Sequence, residues 1–227
     1  MSGLPWKLVI FDNDGVMVDS EPLAEQAMSG ALAAAGYALT PEECGDLLRG
    51  TTLVATRRII EERSGLSLPA DFEDRYSSAL YGLMRTQLHP VPGVDLVLDR
   101  LDEEGIAYCV ASSGRRERVE FALSTVGLLS RLGGHWWGAE DVAHGKPAPD
   151  LFLWAAEQMA TPPADCLVIE DAEFGVQAAR AAGMAVFGFA ARTPPEKLAG
   201  ADYVFKDMAE LPGLILAGAP STGGRSS

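Results

Sequence analysis

The chain has 227 residues, 48% hydrophobic and 22% charged, which is the composition of a soluble globular protein of one or two domains. Its 32 acidic residues against 18 basic ones leave a formal net charge of −14. That surface repels nucleic-acid phosphates and anionic lipid, so neither a nucleic-acid nor a membrane partner is expected.

The segment Met1 to Lys7 has no basic region followed by a long apolar run, and the apolar stretch Leu8 to Phe11 stops at Asp12. Neither a signal peptide nor a membrane span is expected. Lys7 to Phe11 instead reads as a buried strand of the parallel-sheet kind. The next seventy residues contain no strand pattern. Ser20 to Ala35 is Ala-rich and helical, Thr40-Pro41-Glu42-Glu43 is a capping box with proline at the first helical position, and Leu53 to Ser64 and Pro69 to Leu88 complete a four-helix set. Pro90-Val91-Pro92-Gly93 reads as the linker that leads back.

From there strands and helices alternate. Val94, Val97, Leu98 and Leu101 fall on one helical face, closed by Gly105. Strands are expected at Ile106 to Ala111, Cys166 to Ile169, Ala185 to Phe189 and Asp202 to Phe205. Helices are expected at Arg116 to Val126, Pro149 to Met159 and Glu173 to Ala182, the last closed by Gly183. The alternation means an α/β fold, a Rossmann-like parallel sheet covered on both faces. About seventy helical residues are too many for one crossover, so they are expected to form a separate domain. The division is therefore 1–17 and 91–220 for the α/β core and 18–90 for an inserted helical cap, with a flexible tail over 221–227. Cys44, Cys109 and Cys166 are widely spaced with no Cys-x-x-Cys pair, so no disulfide framework or structural zinc is expected and a reducing cytoplasm fits. A monomer is the default.

Four polar clusters fall where ligands bind in an open α/β sheet, beyond the carboxyl ends of the strands. They are Asp12 and Asp14, then Ser112-Ser113, then Gly145-Lys146-Pro147 just before a helix, then Glu170-Asp171. Each alone has a bland explanation: a turn cap, a solvated loop, a surface lysine. All four in this order point to a phosphate site. Crowded carboxylates repel, and hard oxygen ligands beside a phosphate suit Mg²⁺. Asp12, Asp171 and the Asp14 carbonyl are the expected ligands, with Glu170 bound directly or through water. Lys146 adds positive charge, and Ser112 and Ser113 with backbone N–H groups bind phosphate oxygens. Four carboxylates and a phosphate dianion carry about −6 against about +3 from Mg²⁺ and Lys146, which favours a proton on Asp14, the state a general acid requires. Arg115 and Arg116 read as the start of a charged helix, and Trp136, Trp137 and Trp154 as core or interface residues.

These residues resemble a family. Phe11-Asp12-Asn13-Asp14-Gly15-Val16 with Asp19-Ser20-Glu21 is similar to motif I of the haloacid dehalogenase superfamily. Ser112 resembles motif II and Lys146 motif III. Glu170-Asp171 with Gly175, Ala178, Ala179 and Ala182-Gly183-Met184 resembles motif IV. The resemblance spans about residues 7 to 207 and is strongest to the β-phosphoglucomutase-like phosphatases, which insert a helical cap just after motif I. It implies that Asp12 attacks phosphorus to form an aspartyl-phosphate. Asp14 then protonates the leaving alcohol and deprotonates the hydrolytic water. It also implies a cap that closes over the site and selects the leaving group of a small phosphorylated metabolite, with Arg49 and Thr52 as its contacts. Asp14 favours phosphate esters, since dehalogenases and phosphonatases in the superfamily do not keep an aspartate there. The alternatives are a sugar phosphomutase and, outside enzymes, a phospho-aspartate signalling module. Against the mutase, Leu53 stands where its cap arginine is expected and Leu23-Ala24 where its histidine is expected. Ala172 replaces the serine usual after Glu-Asp.

Overall fold

The computed structural model describes residues 5–48 and 53–218. Arg49 and Thr52, and the tail 221–227, lie outside the described residues. The chain divides into two compact units, one running to Met17 and resuming at Pro90, the other Val18–His89.

The helical unit holds α1 (Glu21–Ala34), α2 (Pro41–Leu48), α3 (Leu53–Ser64) and α4 (Phe72–Gln87). Its apolar residues recur at helical spacing. Phe72, Tyr76, Leu80 and Met84 are buried along one stripe of α4, and Leu23, Ala27, Met28 and Leu32 are buried on α1. The stripes explain the packing of α1 against α4. The capping box forms at α2: the Thr40 N–H donates to Glu43 Oε2 at 2.8 Å, and the Glu43 N–H donates to Thr40 Oγ1 at 3.2 Å. Arg57 ties α3 to α4 by an ion pair with Glu73 at 2.9 Å, with a further pair to Glu61 at 3.3 Å and a hydrogen bond to the Leu68 carbonyl.

The other unit is built on six strands: β1 (Leu8–Phe11), β2 (Ala107–Ala111), β3 (Trp136–Trp137), β4 (Cys166–Glu170), β5 (Ala185–Phe189) and β6 (Tyr203–Phe205). All pair in parallel, in the order β3-β2-β1-β4-β5-β6. Leu8 to Phe11 are all buried, because β1 is central and carries apolar side chains to both faces. On one face Leu8 and Ile10 join Leu151, Phe152 and Ala155 of α7 (Asp150–Gln158) and Val176 and Ala179 of α8 (Glu173–Ala181) in a continuous core. The remaining helices are α5 (Val94–Glu104), α6 (Arg116–Thr125) and α9 (Leu211–Ala217).

Two of these elements are absent from the sequence-based expectation. Strand β3 is two residues long, and its existence depends on the ladder it makes with Val110 and Ala111. Helix α9 opens Leu-Pro-Gly, a poor local helix sequence, but its proline lies in the first turn, where no intrahelical N–H is required. Leu211 and Ile215, one turn apart, are both buried, and α9 packs on α5.

The topology sets where chemistry can occur. Phe11 pairs with Val110 on one side and Ile169 on the other, so Asp12 emerges between the carboxyl ends of β2 and β4. The chain runs from β1 outward to β2 and β3, then returns to β4 on the other flank. That reversal opens a crevice at the end of β1.

Candidate active site

Motif I leaves β1 as an extension of the ladder: the Asp12 N–H donates to the Ile169 carbonyl at 3.0 Å. The following turn needs a left-handed residue at Gly15, where φ is 82°. Space excludes a side chain there as well, since a Cβ on Gly15 would lie 2.1 Å from Asp171 Oδ2. The Asp171 carboxylate is therefore pressed against the motif I turn, at the end of the strand that neighbours β1. Asp12, Glu170 and Asp171 are all buried.

Lys146 joins two of the clusters. Its Nζ donates to Asp12 Oδ1 and to Glu170 Oε1, each at 2.6 Å, and sits 4.7 Å from the centre of the Phe152 ring. Its side chain is 4% exposed, so the two bonds are made largely out of water. The second Glu170 oxygen accepts from the Ala172 N–H at 2.9 Å. Helix α8 accommodates this carboxylate because residue 175 is glycine: a Cβ there would fall 1.7 Å from Glu170 Oε1. Both Glu170 oxygens are thus engaged by protein donors, and Glu170 anchors Lys146.

Burial pushes the Asp12 carboxyl up to about 7, with Lys146 pulling it down and Glu170 and Asp14 pushing it further up. Burial by itself would lower the Lys146 ammonium, but Asp12 and Glu170 outweigh it and hold the group above the ordinary lysine value.

Motif II lies at the end of β2. Ser112 is buried, with its N–H donating to the Trp137 carbonyl at 3.1 Å and its Oγ accepting from the Gly114 N–H at 3.0 Å. Ser113 is exposed. The structure thus gathers Asp12, Lys146 and Glu170 into one bonded group and sets Asp171 against the motif I turn. Of the two serines, only Ser112 is built into the loop.

The arginines of this region separate in role. Arg115 is exposed, and Arg116 lies over the Trp136 ring, 5.5 Å from its centre. Arg118, which sequence reasoning passes over, reaches across 104 residues to Asp14, with Nη2 donating to Oδ1 at 2.6 Å. The only local signal was its place in the first turn of α6, where a cation opposes the helix dipole.

Among the described residues no three or more His, Cys, Asp or Glu side chains are gathered so as to hold a metal ion by themselves. Mg²⁺ asks for less: one or two carboxylates, with water and substrate phosphate completing its shell. Asp12 and Glu170 share one ammonium, and the buried Asp171 carboxylate against the motif I turn adds an excess of negative charge that fits a divalent cation. Asp12 and Asp171 have the hard oxygen donors it prefers.

A family model described as haloacid dehalogenase-like hydrolase matches residues 6–183. The chain belongs to that family. Among haloacid dehalogenase-like relatives, it is 32% identical over 180 residues to the fructose-1-phosphate phosphatase YqaB of Escherichia coli, covering 78% of this chain and 92% of that one. It is 29% identical over 206 residues to hexitol phosphatase A of the same organism, covering 89% and 91%. It spans about half (47%) of the bifunctional riboflavin kinase/FMN phosphatase of Arabidopsis thaliana, to which it is 30% identical over 181 residues. Among solved structures, a haloacid dehalogenase-like protein from Agrobacterium tumefaciens superposes with a TM-score of 0.83 at 34% identity, covering 93% of this chain and 98% of that one. A family member from Deinococcus radiodurans with bound phosphate and sodium gives 0.81 at 29% identity, covering 95% and 100%.

Proposed function

We propose that this chain is a Mg²⁺-dependent phosphatase that hydrolyses a small phosphomonoester, a sugar phosphate or related metabolite, through an aspartyl-phosphate on Asp12. The observation that carries the reading is the buried Lys146 bridging Asp12 and Glu170 at the sheet's reversal point, with a second carboxylate, Asp14, two residues away. A buried nucleophilic carboxylate clamped to a fixed cation and followed closely by a proton carrier suits transfer of a phosphoryl group. It has no evident use in a protein that merely binds phosphate.

An Asp12 oxygen attacks phosphorus in line, the P–O bond to the alcohol breaks, and Asp14 gives its proton to the departing oxygen. Asp14, now ionised, takes a proton from a water as that water attacks the aspartyl-phosphate. The products are inorganic phosphate and Asp12 in its starting form. Lys146, the Ser112 hydroxyl and the Ser113 N–H offset charge on the phosphoryl oxygens. Asp12, Asp171 and the Asp14 carbonyl would hold Mg²⁺, which when bound supplies positive charge to the same oxygens. The names of the similar phosphatases, directed at fructose 1-phosphate, hexitol phosphates and 6-phosphogluconate, support a sugar-phosphate class of substrate. Selection among such esters is assigned to the helical unit.

The test is phosphate release from a panel of sugar phosphates and other small phosphomonoesters, with and without Mg²⁺, and with Asp12→Asn as control. Release that disappears in the variant and in chelator is expected. No release from any ester would overturn the reading. Isomerisation of a sugar phosphate in the presence of a bisphosphate would replace it with the mutase.

A further inference from the structure

Resting on that reading, we propose that Arg118 is a positioning residue that holds the Asp14 carboxyl in place for the proton transfer. Its guanidinium donates to Oδ1 at 2.6 Å. A guanidinium has donors and no acceptor, and it stays charged at any working pH. The bond therefore needs a lone pair on Oδ1 and restricts how the Asp14 carboxyl can turn.

A second, independent observation places Asp14 and Arg118 beside the motif II loop. A Cβ built on Gly114 would lie 3.3 Å from Ser112 Oγ, 3.9 Å from Arg118 Cδ and 3.9 Å from Asp14 Oδ2. These three groups ring one small patch above the motif II loop, and residue 114 contributes nothing to fill it. Gly114 thus leaves room where Ser112, Arg118 and Asp14 approach one another, and Arg118 holds Asp14 at the edge of the motif II loop that binds the phosphate ester in the proposed reaction.

The arginine itself is firmly held. Helix α6 starts at Arg116, whose N–H donates to Glu140 Oε1 at 2.8 Å. The Ala139 N–H donates to the Gly114 carbonyl at 2.9 Å. A Cβ on Gly138 would come 2.4 Å from the Arg116 nitrogen and 2.7 Å from the Gly114 oxygen, so the two loops are in direct backbone contact. The Arg116 side chain adds its stacking on Trp136. The first turn of α6 therefore has little freedom, and Arg118 reaches Asp14 from a fixed base. Two arginines in the first turn of a helix oppose its dipole, an arrangement that local helix stability does not favour. The ion pair with Asp14 supplies a reason for the second of them.

The role predicts a selective defect. Formation of the aspartyl-phosphate needs the Asp14 proton when the leaving group is an alkoxide, and needs it far less when the leaving group is a stable aryl oxide. The experiment compares kcat/KM, which ends at the first irreversible step, for an alkyl phosphomonoester and for p-nitrophenyl phosphate in the full-length wild type, Arg118→Met and Arg118→Lys. Arg118→Met is expected to lower kcat/KM on the alkyl ester by about 10- to 100-fold, the scale of a misplaced catalytic group, with a much smaller loss on the aryl ester. Arg118→Lys, with its charge but not its planar fork, should recover part of the loss and carries the test if the methionine variant does not fold. In an Asp14→Asn background the same substitution should add little. Equal losses on both esters with a raised KM, persisting in that background, would overturn the proposal and make Arg118 a substrate contact. No loss on either ester would overturn it as well. A wild type that releases phosphate from no ester would remove the phosphatase reading and this inference together, which separates the two failures.

Discussion

Gly175→Ala isolates how much the fold invests in holding Glu170. A methyl group at residue 175 would lie 1.7 Å from Oε1, 1.9 Å from Cδ and 2.5 Å from Oε2 of Glu170, so the entire carboxyl group must leave. It cannot swing into water, because Glu170 is 1% exposed. It would give up its bonds to Lys146 Nζ at 2.6 Å and to the Ala172 N–H at 2.9 Å. Hydrogen bonds to a charged group contribute about 1.5–3 kcal/mol each, and alanine in place of glycine inside a helix returns about 1 kcal/mol. The net cost is about 2–5 kcal/mol, a fall in Tm of about 5–15 °C for a chain of this length. Turnover should fall as well, because Lys146 loses one of its two anchors. The matched control is Gly213→Ala in α9, where a Cβ meets nothing within 4 Å, so the same exchange should stabilise by about 0.5–1 kcal/mol. Thermal melts and phosphate-release kinetics on the two variants are the assay. A Gly175→Ala protein that melts with the wild type and turns over normally would show that Glu170 is not held as described.

Further outcomes follow from the same geometry. Lys146→Met leaves Asp12 and Glu170 buried without their shared cation, a loss of about 3–5 kcal/mol. Its destabilisation in chelator should be larger at pH 8 than at pH 5, because protonation relieves unpaired carboxylates, and a pH-independent difference in Tm would contradict this. Because burial first, and then Glu170 and Asp14, push the metal-free Asp12 carboxyl up to about 7, a proton competes with the cation below that pH. Calorimetric titration should show Mg²⁺ affinity weakening by about tenfold per unit as pH falls below about 7 and levelling above it; an affinity flat from acid to neutral pH would count against Asp12 as a ligand. In the helical unit, Arg57→Ala removes partly exposed ion pairs to Glu73 and Glu61 and a bond to the Leu68 carbonyl. It should cost about 1–2 kcal/mol in urea unfolding and leave the Mg²⁺ affinity of the core unchanged.

What the sequence determines by itself is whatever depends on residues near one another along the chain. Leu8 to Phe11 could only be an interior strand, because four apolar residues in a row suit a segment covered on both faces. Thr40 and Glu43 could only begin a helix, because each side chain satisfies the other's backbone N–H. The polar clusters at Asp12, Ser112 and Glu170 were legible for the same reason: each follows an apolar run, and a parallel sheet brings such ends to one edge, while Lys146 was legible only by its place just before a helix. Tertiary structure decided the rest. Strand β3 exists only through its ladder to β2, and α9 through burial of Leu211 and Ile215 despite a Pro-Gly start. The glycine at 175 is explained by a carboxylate five residues earlier that folds back over the helix, a contact no propensity records. The pairing of Arg118 with Asp14 spans 104 residues. A charge on one helix turn and a carboxylate beyond a distant strand have no common sequence period, and only the parallel register of β1 and β2 sets them within hydrogen-bonding distance.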